Sequence, residues 1–278
     1  MYIARTIREL KTYLAEVKNI GFVPTMGALH DGHISLIRES VNRNLFTVAS
    51  IFVNPTQFNN VADFEKYPID TEADLKKLEA AGCDLVFLPS KSELYPTEKA
   101  DQKYIHDFGK LETTIEGAYR PGHFKGVGQI VHILFECVNP KTAFFGEKDF
   151  QQLQVIKRLV KLIGADIEIV GMPTIRESDG LAMSSRNRRL NDDYRTASVL
   201  LYKALTFAKA NINRLKPSEI KAEVQAMFSQ DKWMDLEYFE ILNPSDFETI
   251  EDDNPTNAHS VIAAYAGEIR LIDNLKLA

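Results

Sequence analysis

The chain has 278 residues, enough to bury a sizeable core without disulfide or metal staples and suited to one large domain or two modest ones. Apolar residues make up 45% and charged residues 26%, and the formal net charge is −6. An acidic surface argues against a general binder of nucleic acid or anionic membrane, while leaving room for a small basic pocket. The two cysteines, Cys83 and Cys137, form no C-x-x-C pair, which argues against a disulfide scaffold and a cysteine-only zinc site. The first 18 residues lack the apolar core of a signal peptide, and no run approaches the roughly 18 apolar residues of a membrane span. A reduced, cytoplasmic setting is expected.

In chain order, Ile7, Leu10, Leu14 and Val17 predict an amphipathic helix over 5–18. Ile20 to Val23 reads as a buried strand, then a glycine-bearing loop, then a helix over 32–42. Thr47 to Val53 is a second strand ended by Asn54-Pro55, 70–81 a helix, and Asp84 to Leu88 a third strand. Helices over 128–138 and 151–163 alternate with short strands at 143–145 and 167–170. That alternation predicts parallel βαβ units in an α/β, Rossmann-like sheet over residues 1–174. After about Pro173 the character changes. Helices over 192–211 and 217–228 precede strands at 236–242, 260–265 and 270–273, predicting a smaller α+β domain over 175–278 with an antiparallel sheet.

Five segments carry chemistry. Pro24-Thr25-Met26-Gly27-Ala28-Leu29-His30-Asp31-Gly32-His33 runs from a strand end into a helix start, where free N–H groups and a positive dipole end suit phosphate. His30 and His33, three apart, share a helix face and could donate to phosphoryl oxygens; the bland alternative is two unrelated surface histidines. Asn54 and Gln57 follow a strand end and suit a small hydroxylated acid, or are simply a turn. Arg120, His123 and Lys125 crowd a glycine-rich loop that reads as an anion pocket or a solvated loop. In Gly146-Glu147-Lys148-Asp149, Gly146 admits close backbone approach and Lys148 is a point charge for phosphate. Asp149 either meets a ribose hydroxyl or caps the next helix. Met183-Ser184-Ser185-Arg186 offers two hydroxyls and a guanidinium for a pyrophosphate, or is a polar linker.

His30-Asp31-Gly32-His33 resembles the His-Ile-Gly-His signature of the nucleotidyltransferase superfamily, and the whole 24–33 segment is similar to that of the pantoate–β-alanine ligase family. The segments above agree with that family in collinear order from about residue 20 to 190. The Ser184–Arg186 stretch resembles the mobile Lys-Met-Ser-Lys-Ser loop. The resemblance implies a ligase that makes pantoyl adenylate from ATP and pantoate, with Mg2+ on the phosphates, and passes the acyl group to β-alanine. Catalysis falls to His33, His30, Lys148, Ser184, Ser185 and Arg186. The nucleotide site adds Pro24, Thr25, Met26, Gly27, Gly32, Gly146, Glu147, Asp149, Ile175 and Met183. Pantoate falls to Asn54, Gln57, Gln152 and His123, β-alanine to Gln57, and the metal to Asp74.

A homodimer is implied, with the C-terminal domain closing as a lid. Ile69 departs from the family, which has arginine there; His132 and Glu136 stand where lysine and asparagine are common and read as packing or surface variation. Two other readings remain: a nucleotidyltransferase acting on a phosphorylated cofactor precursor, and an inactive nucleotide-binding module. The first should lack the glutamines Gln57 and Gln152; the second should lack one of His30, His33, Lys148 or Arg186.

Overall fold

The computed structural model describes residues 1–59, 61–95, 102–252 and 257–278. It divides into two compact units, Met1–Pro173 and Thr174–Ala278.

The first unit is built, in chain order, from β1 (Tyr2–Ala4), α1 (Ile7–Leu14), β2 (Ile20–Thr25), α2 (Asp31–Asn42), β3 (Phe46–Ile51), α3 (Val61–Glu65), α4 (Thr71–Ala80) and β4 (Leu85–Phe87). There follow α5 (Lys91–Leu94), α6 (Glu116–Tyr119), α7 (His123–Val138), β5 (Thr142–Gly146), α8 (Phe150–Leu162) and β6 (Glu168–Met172). The six strands form one sheet in the order β1-β4-β3-β2-β5-β6, and every pair is parallel. Side chains alternate between two cores, as the pleat requires. Phe22, Val48, Phe87, Ala143 and Phe145 enter the core shared with α1, α7 and α8. Val23, Ala49, Val86 and Phe144 enter the core shared with α2 and α4. Covered on both faces, the strands read as continuous apolar runs rather than alternating ones.

Two boundaries differ from expectation. Helix α1 starts at Ile7 because Thr6 and Glu9 cap each other's backbone, which frees Tyr2–Ala4 to pair with β4 as an edge strand. Helix α7 starts five residues early, at His123, so the expected basic loop is half helix. Gly126, in its second turn, lies against the 3-10 turn Pro55–Gln57, and an added Cβ would stand 2.4 Å from the Thr56 carbonyl oxygen.

The second unit contains α9 (Asp192–Ala197), α10 (Leu200–Asn211), α11 (Pro217–Ser229), β7 (Met234–Leu242), β8 (His259–Ala266) and β9 (Ile269–Lys276). The three strands form an antiparallel sheet in the order β7-β8-β9. The single helix expected over 192–211 is divided at Ser198, whose hydroxyl bonds the Tyr194 carbonyl at 2.6 Å and tightens the turn. Leu201, Leu205, Ile220, Val224 and Phe228 cover one face of the sheet, against Ile262 and Leu271.

Gly126→Ala should destabilise the chain by about 1–3 kcal/mol, because the obstructing atom is backbone and cannot rotate away. Denaturant unfolding of the two proteins measures the difference.

Candidate active site

The strand order reverses between β2 and β5: from β2 the chain builds outward through β3 and β4, and from β5 through β6. Open parallel sheets bind ligands outside the carboxyl ends of strands at such a reversal. Here β2 and β5 pair only at Gly21–Thr142 and Phe22–Ala143 and then part. The Thr25 carbonyl accepts from Phe52 N–H on the β3 side, so the alternate residue Pro24 addresses the β5 side, where pairing has ended and no ladder donor is needed.

Beyond Thr25 the chain turns through Gly27 and Ala28, both with positive φ (81° and 50°). The turn is gripped from α4. Asp74 accepts Ala28 N–H on one carboxylate oxygen and Leu29 N–H on the other, each at 2.7 Å, and Lys77 Nζ donates to the Leu29 carbonyl. Asp74 is 2% exposed. Both oxygens of this carboxylate, on which the magnesium expectation fell, hold the loop.

The brace delivers His30 to the N-cap of α2. His30 Nδ1 accepts Gly32 N–H at 3.2 Å, and His33 Nδ1 accepts His30 N–H at 3.3 Å, with the rings 4.1 Å apart. This is a capping box built from imidazoles. It fixes the tautomer: with Nδ1 accepting in each ring, the ring proton sits on Nε2, so each histidine is a donor on its far side.

At the end of β3, Asn54 is nearly enclosed (1% exposed) and fully engaged. Its Nδ2 donates to Gln57 Oε1 and the Gly126 carbonyl; its Oδ1 accepts from Thr56 Oγ1 and Tyr95 Oη. It places Gln57, whose Nε2 donates to Met26 Sδ in the first loop. His123, expected to supply a cation, does not. Its Nδ1–H donates to the Gln57 carbonyl at 2.7 Å, and its Nε2 accepts from Arg120 Nη1 at 3.2 Å. Burial first, and then the Arg120 charge, push its pKa down to about 3. Arg120 also meets the Gln57 carbonyl through Nη2 and Glu116 Oε1 through Nη1. The segment therefore holds the Gln57 turn rather than forming an open anion pocket. Ile69, by contrast, is 70% exposed.

At the end of β5, an added Cβ on Gly146 would meet no protein atom within 4 Å, so open space adjoins the backbone there. Lys148 Nζ lies 3.6 Å from Asp149 Oδ1. Asp149 occupies the N-cap of α8 yet makes no side-chain cap. The carboxylate, 45% exposed, does not cap the helix. Gln152 is half-buried, and its amide has no hydrogen-bond partner among the described residues. Its neighbour Gln151 is buried and makes three bonds that no local pattern foretells, to residues 35 to 40 positions away. Burial pushes the thiols of Cys83 and Cys137 up to about 12 and about 11, so neither is a thiolate nucleophile at neutral pH.

In the second unit, the Ile175 carbonyl accepts Met183 N–H, closing a loop from 175 to 183. Arg176 anchors it through a bidentate pair with buried Asp273. Ser184 caps the 3-10 turn Ser185–Arg189 by accepting Arg186 N–H at 3.3 Å, and Asn187 ties the turn to Glu177 and the Ala182 carbonyl. Ser185 is buried and Arg186 half-buried.

A parallel sheet that gathers imidazoles, an amide pair and a lysine at the carboxyl ends of β2, β3 and β5 defines the class: an α/β nucleotide-binding enzyme. The sequence matches the family model of pantoate-beta-alanine ligase over residues 2–276. It is 45% identical to a pantothenate synthetase of Bacteroides fragilis over 99% of both chains, and 46% identical to one from Cytophaga hutchinsonii over 97% of both. The crystal structure of pantothenate synthetase from Thermus thermophilus superimposes with a TM-score of 0.93 at 39% identity, covering 100% of this chain and 99% of that one. The pantoate-beta-alanine ligase of Francisella tularensis, solved in complex with beta-gamma ATP and β-alanine, gives a TM-score of 0.81 at 32% identity over 99% and 97% of the two chains. The chain belongs to the pantoate–β-alanine ligase family.

Asp74→Asn should destabilise the protein by about 1–3 kcal/mol, since an amide NH2 would face a loop N–H; thermal unfolding checks it. His123 makes a signed pH prediction. Folded, it stays neutral down to about pH 3; unfolded, it takes a proton below about 6.5. Its contribution to stability is complete above pH 6.5 and is lost as pH falls toward 3, at up to about 1.4 kcal/mol per pH unit. Denaturation midpoints between pH 7 and 5 should fall less steeply in His123→Gln than in the parent.

Proposed function

We propose that this chain joins pantoate to β-alanine at the cost of ATP, yielding pantothenate, AMP and pyrophosphate through an enzyme-bound pantoyl adenylate. The observation that carries this reading is the histidine capping box at the parting of β2 and β5. It presents two Nε2–H donors from the loop end of one strand, beside strand β5, which Lys148 and Asp149 follow.

In the first step the pantoate carboxylate oxygen bonds to the α-phosphorus and the bond to pyrophosphate breaks. Negative charge approaches negative charge, so the barrier is electrostatic. His33, with His30, donates to the α-phosphoryl oxygens and Lys148 adds a positive charge. Asp149, not needed by its helix, accepts from a ribose hydroxyl. Gln57, held by Asn54, and Gln152 orient pantoate. In the second step the β-alanine amine bonds to the acyl carbon, AMP leaves and the amine loses a proton. No side chain forms a covalent bond; orientation and preorganised charge suffice.

From residues 175–278 the reading assigns the Ile175 backbone to adenine and Met183 to the ATP site. It assigns Ser184, Ser185 and Arg186 to the departing pyrophosphate. Magnesium enters as the salt of ATP, on its phosphates. Asp74 fits poorly as its ligand because both oxygens hold backbone N–H groups, and no group of three or more His, Cys, Asp or Glu suited to a metal occurs among the described residues. A homodimer in the cytoplasm belongs to the same reading; no helix among the described residues is long and apolar enough to cross a membrane.

The test is exchange of labelled pyrophosphate into ATP with magnesium and pantoate but without β-alanine. Exchange should require pantoate, and β-alanine should then release pantothenate and AMP. Lys148→Ala should slow exchange about 10²–10³-fold with the fold intact. A folded protein that binds ATP and shows no exchange at any pantoate concentration would refute the ligase reading.

A further inference from the structure

Residues 111–117 carry a strain that the site described above does not account for. Gly117 N–H bonds the Thr114 carbonyl at 3.0 Å, and between them Ile115 has φ 51° and ψ −123°. That is the first central position of a type II′ turn, which glycine fills without steric cost. A β-branched residue there is an outlier, and such strain persists only where the surroundings over-determine it.

The over-determining group is one side chain. Gln151, buried in the first turn of α8, donates from Nε2 to the carbonyls of Leu111 and Thr114, both at 2.9 Å. Its Oε1 accepts Glu116 N–H at 3.1 Å. Two carbonyls on one side and an N–H on the other admit only this orientation of the amide. The bonds bracket Ile115. Glu116, fixed by them, accepts from Arg120 Nη1, and Arg120 and His123 converge on the Gln57 carbonyl. A continuous series of hydrogen bonds thus runs from α8, three residues past Lys148, to the turn that carries Gln57.

We propose that Gln151 is a positioning residue for the acid substrate: by clamping the Ile115 turn it holds Glu116, and through Arg120 and His123 it holds Gln57 in place. The assignment deepens the ligase reading and rests on it. The lysine end and the glutamine end of the site are then mechanically joined. The Ile115 turn acts as a spring held shut by one amide.

Gln151→Leu keeps the bulk of the side chain and removes all three bonds. In the pyrophosphate-exchange assay, at a temperature where circular dichroism shows the variant folded, the KM for pantoate should rise about tenfold or more. The KM for ATP should stay within about twofold, a split that general damage would not produce. The double variant Gln151→Leu/Ile115→Gly supplies the residue the turn prefers, and should bring the pantoate KM back to within about threefold of the parent. Glu116→Gln retains an acceptor for Arg120 and should raise the pantoate KM about threefold; it serves as the test should Gln151→Leu not fold. An unchanged pantoate KM in a folded variant would overturn the proposal, as would parallel rises in both constants with no recovery in the double variant. A parent protein without pantoate-dependent exchange would instead overturn the ligase reading, and this assignment with it.

Discussion

After Phe22, strand β2 loses its neighbour β5, and the arrangement of the site follows from that parting. A parallel sheet must satisfy its backbone groups laterally, so a strand that leaves its partner needs either water or a residue without a donor. Pro24 is that residue. Beyond it the backbone turns through two consecutive positive-φ positions, a conformation a free chain would rarely hold. The Asp74 carboxylate makes it tenable by meeting two successive N–H groups at once. Sheet topology thus opens a crevice, and an ion buried beside it sets the shape of one wall.

The polar groups in the first unit divide into those that hold the site and those left to act. Asp74, Asn54, His123 and Gln151 have their polar atoms engaged by protein. Asp149 forgoes its helix cap, and Gln152 makes no protein hydrogen bond among the described residues. Both kinds are needed. A group can meet a transition state with little reorganisation only if its neighbours cannot relax toward it, and the engaged residues prevent that relaxation. Capping by His30 and His33 combines the two functions: one ring nitrogen is committed to the helix, so the other is aimed.

Much of this was legible in the sequence. Apolar runs closed by Pro24, Asn54-Pro55 and Pro89 marked the strands, and the interleaved helices marked a parallel sheet. The histidine, Asn–Gln and Gly-Glu-Lys-Asp segments stood out because strand ends are where α/β folds place ligands. Strand β1 was missed because three residues show no period. The break at Ser198 was missed because its hydroxyl acts on a carbonyl within an otherwise regular stripe.

The roles of single residues were less legible, for a specific reason. Residue type states which bonds a side chain can make, whereas its function depends on which of them the fold has already made. Asp74 and Asp149 look alike in sequence, each an acid near a helix start. The first is buried against a loop 45 residues earlier in the chain; the second has, among the described residues, only the adjacent Lys148 as an ion-pair partner. His123 and His33 are likewise both histidines near helix starts. A carbonyl opposite Nδ1 makes one a donor inward and a neutral strut; an N–H opposite Nδ1 makes the other a donor outward. The distinction lies in one long-range partner each, which no local pattern encodes, and it separates the residues that shape this site from those positioned to act in it.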